Sequence, residues 1–305
     1  MKTRMRIKLL ALICLASTLA TTNVCYSQSD GPKIYISADM EGLAEVINSE
    51  YLGSSGTEYM IARRILTEEV VAAIEGARSA GAGQIVVSDS HGSAMNLLLD
   101  GLPDDIEVVR GWPRPLIMME GIDETFDGVI FIGYHSGTTN PEGVRAHTMS
   151  SANLTGVHIN GVAMNEAGFN AAIAGHFNVP VIMVSGDDAT ILETRELIGD
   201  FEAVITKKAI SYHAAQLKSR AAVLDLTREA ASRAVTRIRE FRSFKPEVPV
   251  TMDVSFKNYR PVQLLGFLPV FKLKDSHTVS YTAVDMTEAS SVLEFILNYQ
   301  VGITP

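Results

Sequence analysis

The sequence predicts an α/β fold with a mostly parallel central sheet flanked by helices and a smaller C-terminal α+β domain. Three observations carry this. Short apolar strands recur ahead of polar turns, as in Ile34–Ala38, Ile85–Val87 and Val129–Gly133. The first two are separated by a long amphipathic stretch, which is the strand–helix–strand unit of a parallel pair. Past residue 206 the order changes to an Ala- and Arg-rich stretch followed by several short strands and a last helix.

The opening residues read differently from the rest. Lys2, Arg4, Arg6 and Lys8 form a basic head, and Leu9–Ala20 is apolar except for Ser17 and Thr18. That run is too short to span a bilayer and has the layout of a secretory signal peptide, expected to cover residues 1–27. An exported, periplasmic or secreted protein follows from it. The only two cysteines, Cys14 and Cys25, lie in this segment, so the mature chain has no disulfide, thiol nucleophile or thiolate ligand. Any metal must be held by His, Asp or Glu. Loss of the four bases takes the formal charge from −9 to −13. Such a charge argues against nucleic acid and anionic membrane surfaces as partners. No later run is a credible membrane span.

The elements follow in order. Ile34–Ala38 is an apolar strand that runs into Asp39 and Glu41. Beyond a glycine-containing loop, Thr57 is placed to cap a helix over 58–80, where Ile61, Ile65, Leu66, Val70, Ile74 and Ala77 recur near a 3.6-residue period. Gly81 ends it. Ile85–Val87 leads into Asp89 and His91, Ile106–Val109 is a third strand, and Ile117–Gly121 is a brief helical piece. Val129–Gly133 is the central strand and ends at His135; an ordered loop then delivers His147. Asn160-Gly161 within Leu154–Met164 is a strong hairpin signal. Asn165 caps a helix opening with Glu166, Val179–Val184 is a buried strand, and Thr190–Ile198 is helical. Residues 31–206 make a metal-binding α/β domain on this reading. In 207–305, the smaller α+β domain, a helical stretch is expected over 214–241 and strands over 248–256, 267–273 and 278–284. Thr287 caps a final helix.

The chemistry concentrates at predicted strand ends. In extended chain, residues i and i+2 face the same side, so Asp39 and Glu41 can address one ligand. Two such acids repel unless a cation lies between them. His91 and His135 end two further strands of the same sheet, at the edge where ligands bind. Histidine with carboxylate suits zinc, with manganese or cobalt as alternatives. Glu166 is either a ligand or an acid favoured by its helix N-terminus. The five exceed one closed tetrahedral site, whereas two ions sharing a bridging carboxylate would use all of them. His147 is a further ligand, a free base near the substrate or a surface residue. Asp89 and Asp188 are candidates for orienting a histidine ring, and Asn153 for donating an amide to substrate. His158 is expected to be structural; His176, His213 and His277 lack acidic company. The residues alone leave open a metal-dependent amidase or esterase and a non-catalytic exported metal- or peptide-binding protein.

Several stretches in register resemble the zinc-dependent D-aminopeptidase family. They are Ser37-Ala38-Asp39-Met40-Glu41-Gly42, Ser88-Asp89-Ser90-His91, Gly133-Tyr134-His135, His147-Thr148-Met149, Asn165–Asn170 and Val184–Asp188. The similarity runs from about Lys33 to Asp188 and more loosely beyond. It implies a metalloaminopeptidase with two zinc ions per subunit, ligated by Asp39, Glu41, His91, His135 and Glu166, Asp39 bridging. It also implies a catalytic role for His147 outside the metal shell. The implied substrate is a short peptide with an N-terminal D-residue such as D-Ala, and the implied assembly a homo-oligomer, a decamer around a channel.

Overall fold

The structure, a computed structural model, describes residues 31–299. The signal-peptide expectation lies outside the described residues. The chain runs β1 (Ile34–Ala38), α1 (Tyr59–Ser79), β2 (Ile85–Asp89), β3 (Glu107–Val109), β4 (Gly128–Ile132), β5 (Leu154–Ile159), β6 (Val162–Ala163) and α2 (Glu166–His176). It continues through β7 (Val181–Asp187), α3 (Asp188–Ile198), β8 (Glu202–Ser211), β9 (Ala214–Leu217), α4 (Arg220–Thr236) and β10 (Val250–Phe256). The last elements are α5 (Tyr259–Leu265), β11 (Lys272–Leu273), β12 (Thr278–Ala283) and α6 (Met286–Asn298).

The predicted fold class holds. Seven strands form one sheet in the order β3-β2-β1-β4-β7-β8-β9, parallel throughout except at its antiparallel edge, β9. A second, antiparallel sheet has the order β11-β12-β10-β5-β6. Alternation along β1 divides the core in two. Ile34 and Ile36 pack with Ile65, Leu66, Val70 and Ile74 of α1 and Val223, Ala231 and Ala234 of α4. Tyr35 belongs to the other core, with Phe131, Phe169 and Ile173 of α2, Val157, Met252 and Val254 of the second sheet, and Leu293 of α6. β4, flanked by β1 and β7, is the middle strand.

The Asn160-Gly161 turn is present, with φ of 50° and 82°, the left-handed pair a two-residue hairpin needs. The hairpin joins the second sheet, where β5 pairs with β10. Residue 206 falls inside β8, which pairs with β7. The sheets therefore do not divide the chain there: the second sheet takes two strands from before that point, and the first keeps two strands reaching beyond it. The expected helix over 214–241 also starts late. Ala214–Leu217 pairs with β8 as an edge strand, so tertiary pairing overrides the helix propensity of its alanines. α4 begins only after Ser219, whose side chain accepts from Ala222 N–H. The strand expected over 267–273 shrinks to β11. The unpredicted α5 precedes it, a short helix with only Val262 buried. Thr57 and Thr287 do not cap: Thr57 bonds Glu50, and Asp285 caps α6.

Candidate metal centre

The ends of β1, β2 and β4 lie side by side because these strands are adjacent and in register. Beyond its last residue β1 stays laced to β4: Asp39 N–H donates to Ile132 (2.8 Å) and Gly42 N–H to Gly133 (2.7 Å). Gly42 is obligatory here, since a Cβ would stand 1.9 Å from the Tyr134 carbonyl oxygen. Gly133 has a φ of 71°, and a Cβ there would stand 2.2 Å from the Asp39 carbonyl oxygen. This contact fixes the separation between the acid-bearing segment and His135. Behind it, Lys207 of β8 is wholly buried and donates to the carbonyls of Glu41 (2.6 Å), Leu43 (2.8 Å) and Val46 (2.5 Å). All three ammonium protons are used. Burial lowers its pKa to about 8. From the other side Glu69 of α1 accepts Ala44 N–H at 2.8 Å.

All six side chains singled out in the sequence converge. His91 Nδ1 is 3.0 Å from both Asp39 Oδ1 and Glu41 Oε2. His135 Nε2 is 3.3 Å from both Asp39 Oδ2 and Glu166 Oε1. Three overlapping trios of donors result: Asp39–Glu41–His91 and Asp39–His135–Glu166, which share Asp39 and are buried throughout, and Glu41–His135–His147, whose His147 is partly exposed. The two that contain Asp39 use different oxygens of its carboxylate. Glu166 opens α2, capped by Asn165, whose side chain accepts Gly168 N–H. Its Oε1 also accepts Met149 N–H at 2.7 Å. His147 stacks on His135, with ring centroids 4.1 Å apart and planes at 7°, and its Nε2 lies 3.7 Å from Glu166 Oε1.

The rings are set by backbone. His91 Nε2–H donates to Leu52 (2.8 Å), His135 Nδ1–H to Ser136 (3.0 Å) and His147 Nδ1–H to Arg145 (2.9 Å). A neutral ring has one proton, so in each the nitrogen facing the acids carries a lone pair. Lone pairs then point at carboxylate oxygens in a buried site. Among the described residues, Asp39 Oδ2, Glu41 Oε2 and His135 Nε2 are buried with no hydrogen-bond partner, as atoms that bind a cation would be. The donor set fits zinc, with each imidazole's second nitrogen held by an acceptor as metal-ligating histidines require.

The electrostatics agree. Burial, then Glu41, raises Asp39 to about 7. Burial opposes ionisation of Glu41 and Glu166, but the neighbouring imidazoles outweigh it and hold both low. Burial also opposes protonation of His91 and His135, yet the facing carboxylates raise both well above the usual value. His147 goes the other way: burial, then the stacked His135, lowers it. The cluster calls for positive charge between its members and leaves His147 neutral.

The His147 loop is anchored along its length. Glu193 of α3 accepts Gly137 N–H and Asn140 Nδ2–H, Asp187 accepts Val144 N–H at 2.7 Å, and His147 N–H donates to Ser136. Arg145 and Met149 flank His147 with φ of 56° and 63°, sparsely populated values that cluster at functional sites.

Two sequence expectations change here. Asp89 reaches no imidazole; it accepts Asn96 N–H, Asn96 Nδ2–H and Leu97 N–H, and Asn96 in turn bonds the His91 carbonyl. It shapes the loop that carries His91. Asp188 accepts Ala209 N–H instead of touching the site. Asn153 lines the cavity over the cluster, a space of about 470 Å³. His158 sits within β5, and His176 at the end of α2. His277 lies in an exposed turn and His213 beside Arg145. Sequence reasoning missed Arg145 and Trp112, which also line the cavity, and Lys207. One signal was available: Arg145 is the only Lys or Arg between Arg114 and Arg195.

A family model described as D-aminopeptidase matches residues 33–295. The chain belongs to the D-aminopeptidase family. Membership makes it a metalloaminopeptidase, and the six-residue cluster lies within the matched span. A D-aminopeptidase of Bacillus subtilis (strain 168) is 33% identical over 261 residues, 84% of this chain and 93% of that one. A solved structure, the Zn-dependent D-aminopeptidase DppA from Bacillus subtilis, a self-compartmentalizing protease, superposes with a TM-score of 0.83. Identity there is 32%, with 87% of this chain and 96% of that chain covered.

Proposed function

We propose that this D-aminopeptidase family member hydrolyses the N-terminal peptide bond of short peptides bearing an N-terminal D-residue such as D-Ala, using two zinc ions. The carrying observation is the pair of donor trios joined at Asp39, one oxygen to each. Asp39, Glu41 and His91 would hold one ion, and Asp39, His135 and Glu166 the other. Two such ions supply Lewis acidity and bring the pKa of water toward neutrality. His147 supplies the proton traffic. Its Nδ1–H is committed to Arg145, so the neutral ring presents Nε2 as an acceptor. That nitrogen takes a proton during attack on the scissile carbonyl and returns it to the leaving amine. The three carboxylates are taken up in holding the ions, and the substrate's free amine, unprotonated, would be a donor to one of them, which favours chain ends over internal bonds.

The basic head and apolar run before residue 27 support export to the periplasm or beyond, where short peptides are met outside the cytoplasm. Self-compartmentalization of the structural relative supports a homo-oligomer, and a decamer is the assembly proposed. Exposed Phe267, Leu268, Val270 and Leu273 offer apolar surface for contact with a second copy.

The test is metal content per subunit together with D-alaninamide hydrolysis. Wild type should hold two zinc ions and turn over. His91→Ala should lose one ion and its activity. His147→Ala should keep both ions and lose about 10²–10⁴-fold in rate. Two bound zinc ions with no hydrolysis of any aminoacyl amide would leave a binding protein instead.

A further inference from the structure

Arg145 is set apart by its place on the cavity wall. Arg78, Arg220, Arg228, Arg233 and Arg237 pair with acids. Arg63, Arg114 and Arg195 donate to backbone carbonyls. Arg145 does neither among the described residues. Its Nη1 lies 3.1 Å from His213 Nε2, its guanidinium stands 5.2 Å from the Tyr212 ring centroid, and its Nε is buried with no partner. Among the described residues it is the only Lys or Arg lining the cavity, whose walls also hold Asp39, Glu41 and Glu166. The backbone beneath it is fixed, since Arg145 N–H donates to Tyr212 at 2.9 Å and Val144 N–H to Asp187. A guanidinium on the cavity wall with no acid partner among the described residues is a ready fork for an anion, and carboxylate matches its geometry in bidentate fashion.

We infer that Arg145 binds the C-terminal carboxylate of the substrate and so selects short peptides with a free acid end. This rests on the aminopeptidase reading above. In that reading the amino end of the substrate lies at the metal-binding cluster and its carboxylate end meets the Arg145 guanidinium. Extended chain advances at most about 3.3–3.6 Å per residue. Only a peptide of two or three residues keeps both ends within one such cavity. Arg145 is thus a specificity-determining residue rather than a participant in bond cleavage.

The experiment compares kcat/KM for D-Ala-D-Ala with that for its C-terminal amide in each form of the full-length protein. Wild type should favour the free acid by about 10- to 100-fold, the range of a charge-assisted hydrogen bond. Arg145→Gln should bring the ratio close to one, and Arg145→Lys should restore part of it. A general loss of activity moves both substrates equally and leaves the ratio unchanged, so an unchanged ratio in Arg145→Gln overturns the assignment. A wild-type ratio near one overturns it without any variant, whether or not the variants fold. Wild type that holds zinc but cleaves neither substrate defeats the aminopeptidase reading itself, and the role of Arg145 falls with it.

Discussion

Glu69 gives the fold a pH dependence that can be isolated. It lies on the buried face of α1 with no exposed surface, one oxygen accepting Ala44 N–H and the other without a partner. Burial raises its pKa from 4.5 to about 7 against the opposing hydrogen bond and the Lys207 ammonium. Between those two values the folded protein binds more protons than the unfolded chain. Its stability therefore falls as pH climbs from about 4.5 to about 7 and levels off above. The difference corresponds to about 3 kcal/mol. Glu69→Gln keeps the acceptor for Ala44 and cannot ionise. Wild type and variant should be equally stable near pH 4, and the variant should draw ahead as pH climbs toward 7, approaching about 3 kcal/mol. Urea unfolding at fixed zinc, followed through the single tryptophan Trp112, reads this from pH 4 to 7; groups away from Glu69 titrate alike in both forms, and Lys207, which feels the Glu69 charge, titrates only near 8. A difference that stays flat across pH would refute the reasoning.

Two further predictions concern the centre. Gly42→Ala drives a methyl group into the Tyr134 carbonyl and should cost about 1–3 kcal/mol, with loss of bound metal, read by thermal melting and metal analysis. A stable, fully loaded variant would show that the lacing of β1 to β4 is not what spaces the ligands. Stripping metal with a chelator should lower the melting temperature by roughly 5–10 °C for each ion present at a hundredfold its Kd. Zinc should restore it, and an unmoved melting curve would count against a resident metal.

The features legible in the sequence were those whose cause is local. Ile34–Ala38, Ile85–Val87 and Val129–Gly133 are apolar runs bounded by turns, so both the strands and the placement of Asp39, His91 and His135 at their ends follow. Asn160-Gly161 announces its turn because few other residue pairs accept two left-handed conformations. Which sheet that hairpin joins is decided by β10, about ninety residues on, and nothing local reports it. Ala214–Leu217 has the composition of a helix and pairs as a strand because β8 offers an open edge. Asp89 looks like an imidazole partner by position, but its lone pairs go to amides of the following loop. Lys207 reads as an ordinary strand lysine until three carbonyls from residues 41–46 close around it.

The three imidazoles are steered by the carbonyls of Leu52, Ser136 and Arg145, and a peptide oxygen is the same whichever residue supplies it. Those steering positions are free to change side chain without disturbing ring tautomer or aim. At Leu52 and Ser136 such a change leaves the rings as they are, whereas at Arg145 it also alters the fork inferred for the substrate's carboxylate. Conversely, transplanting only the six side chains onto another scaffold would carry over the donors and leave behind what decides where each proton sits.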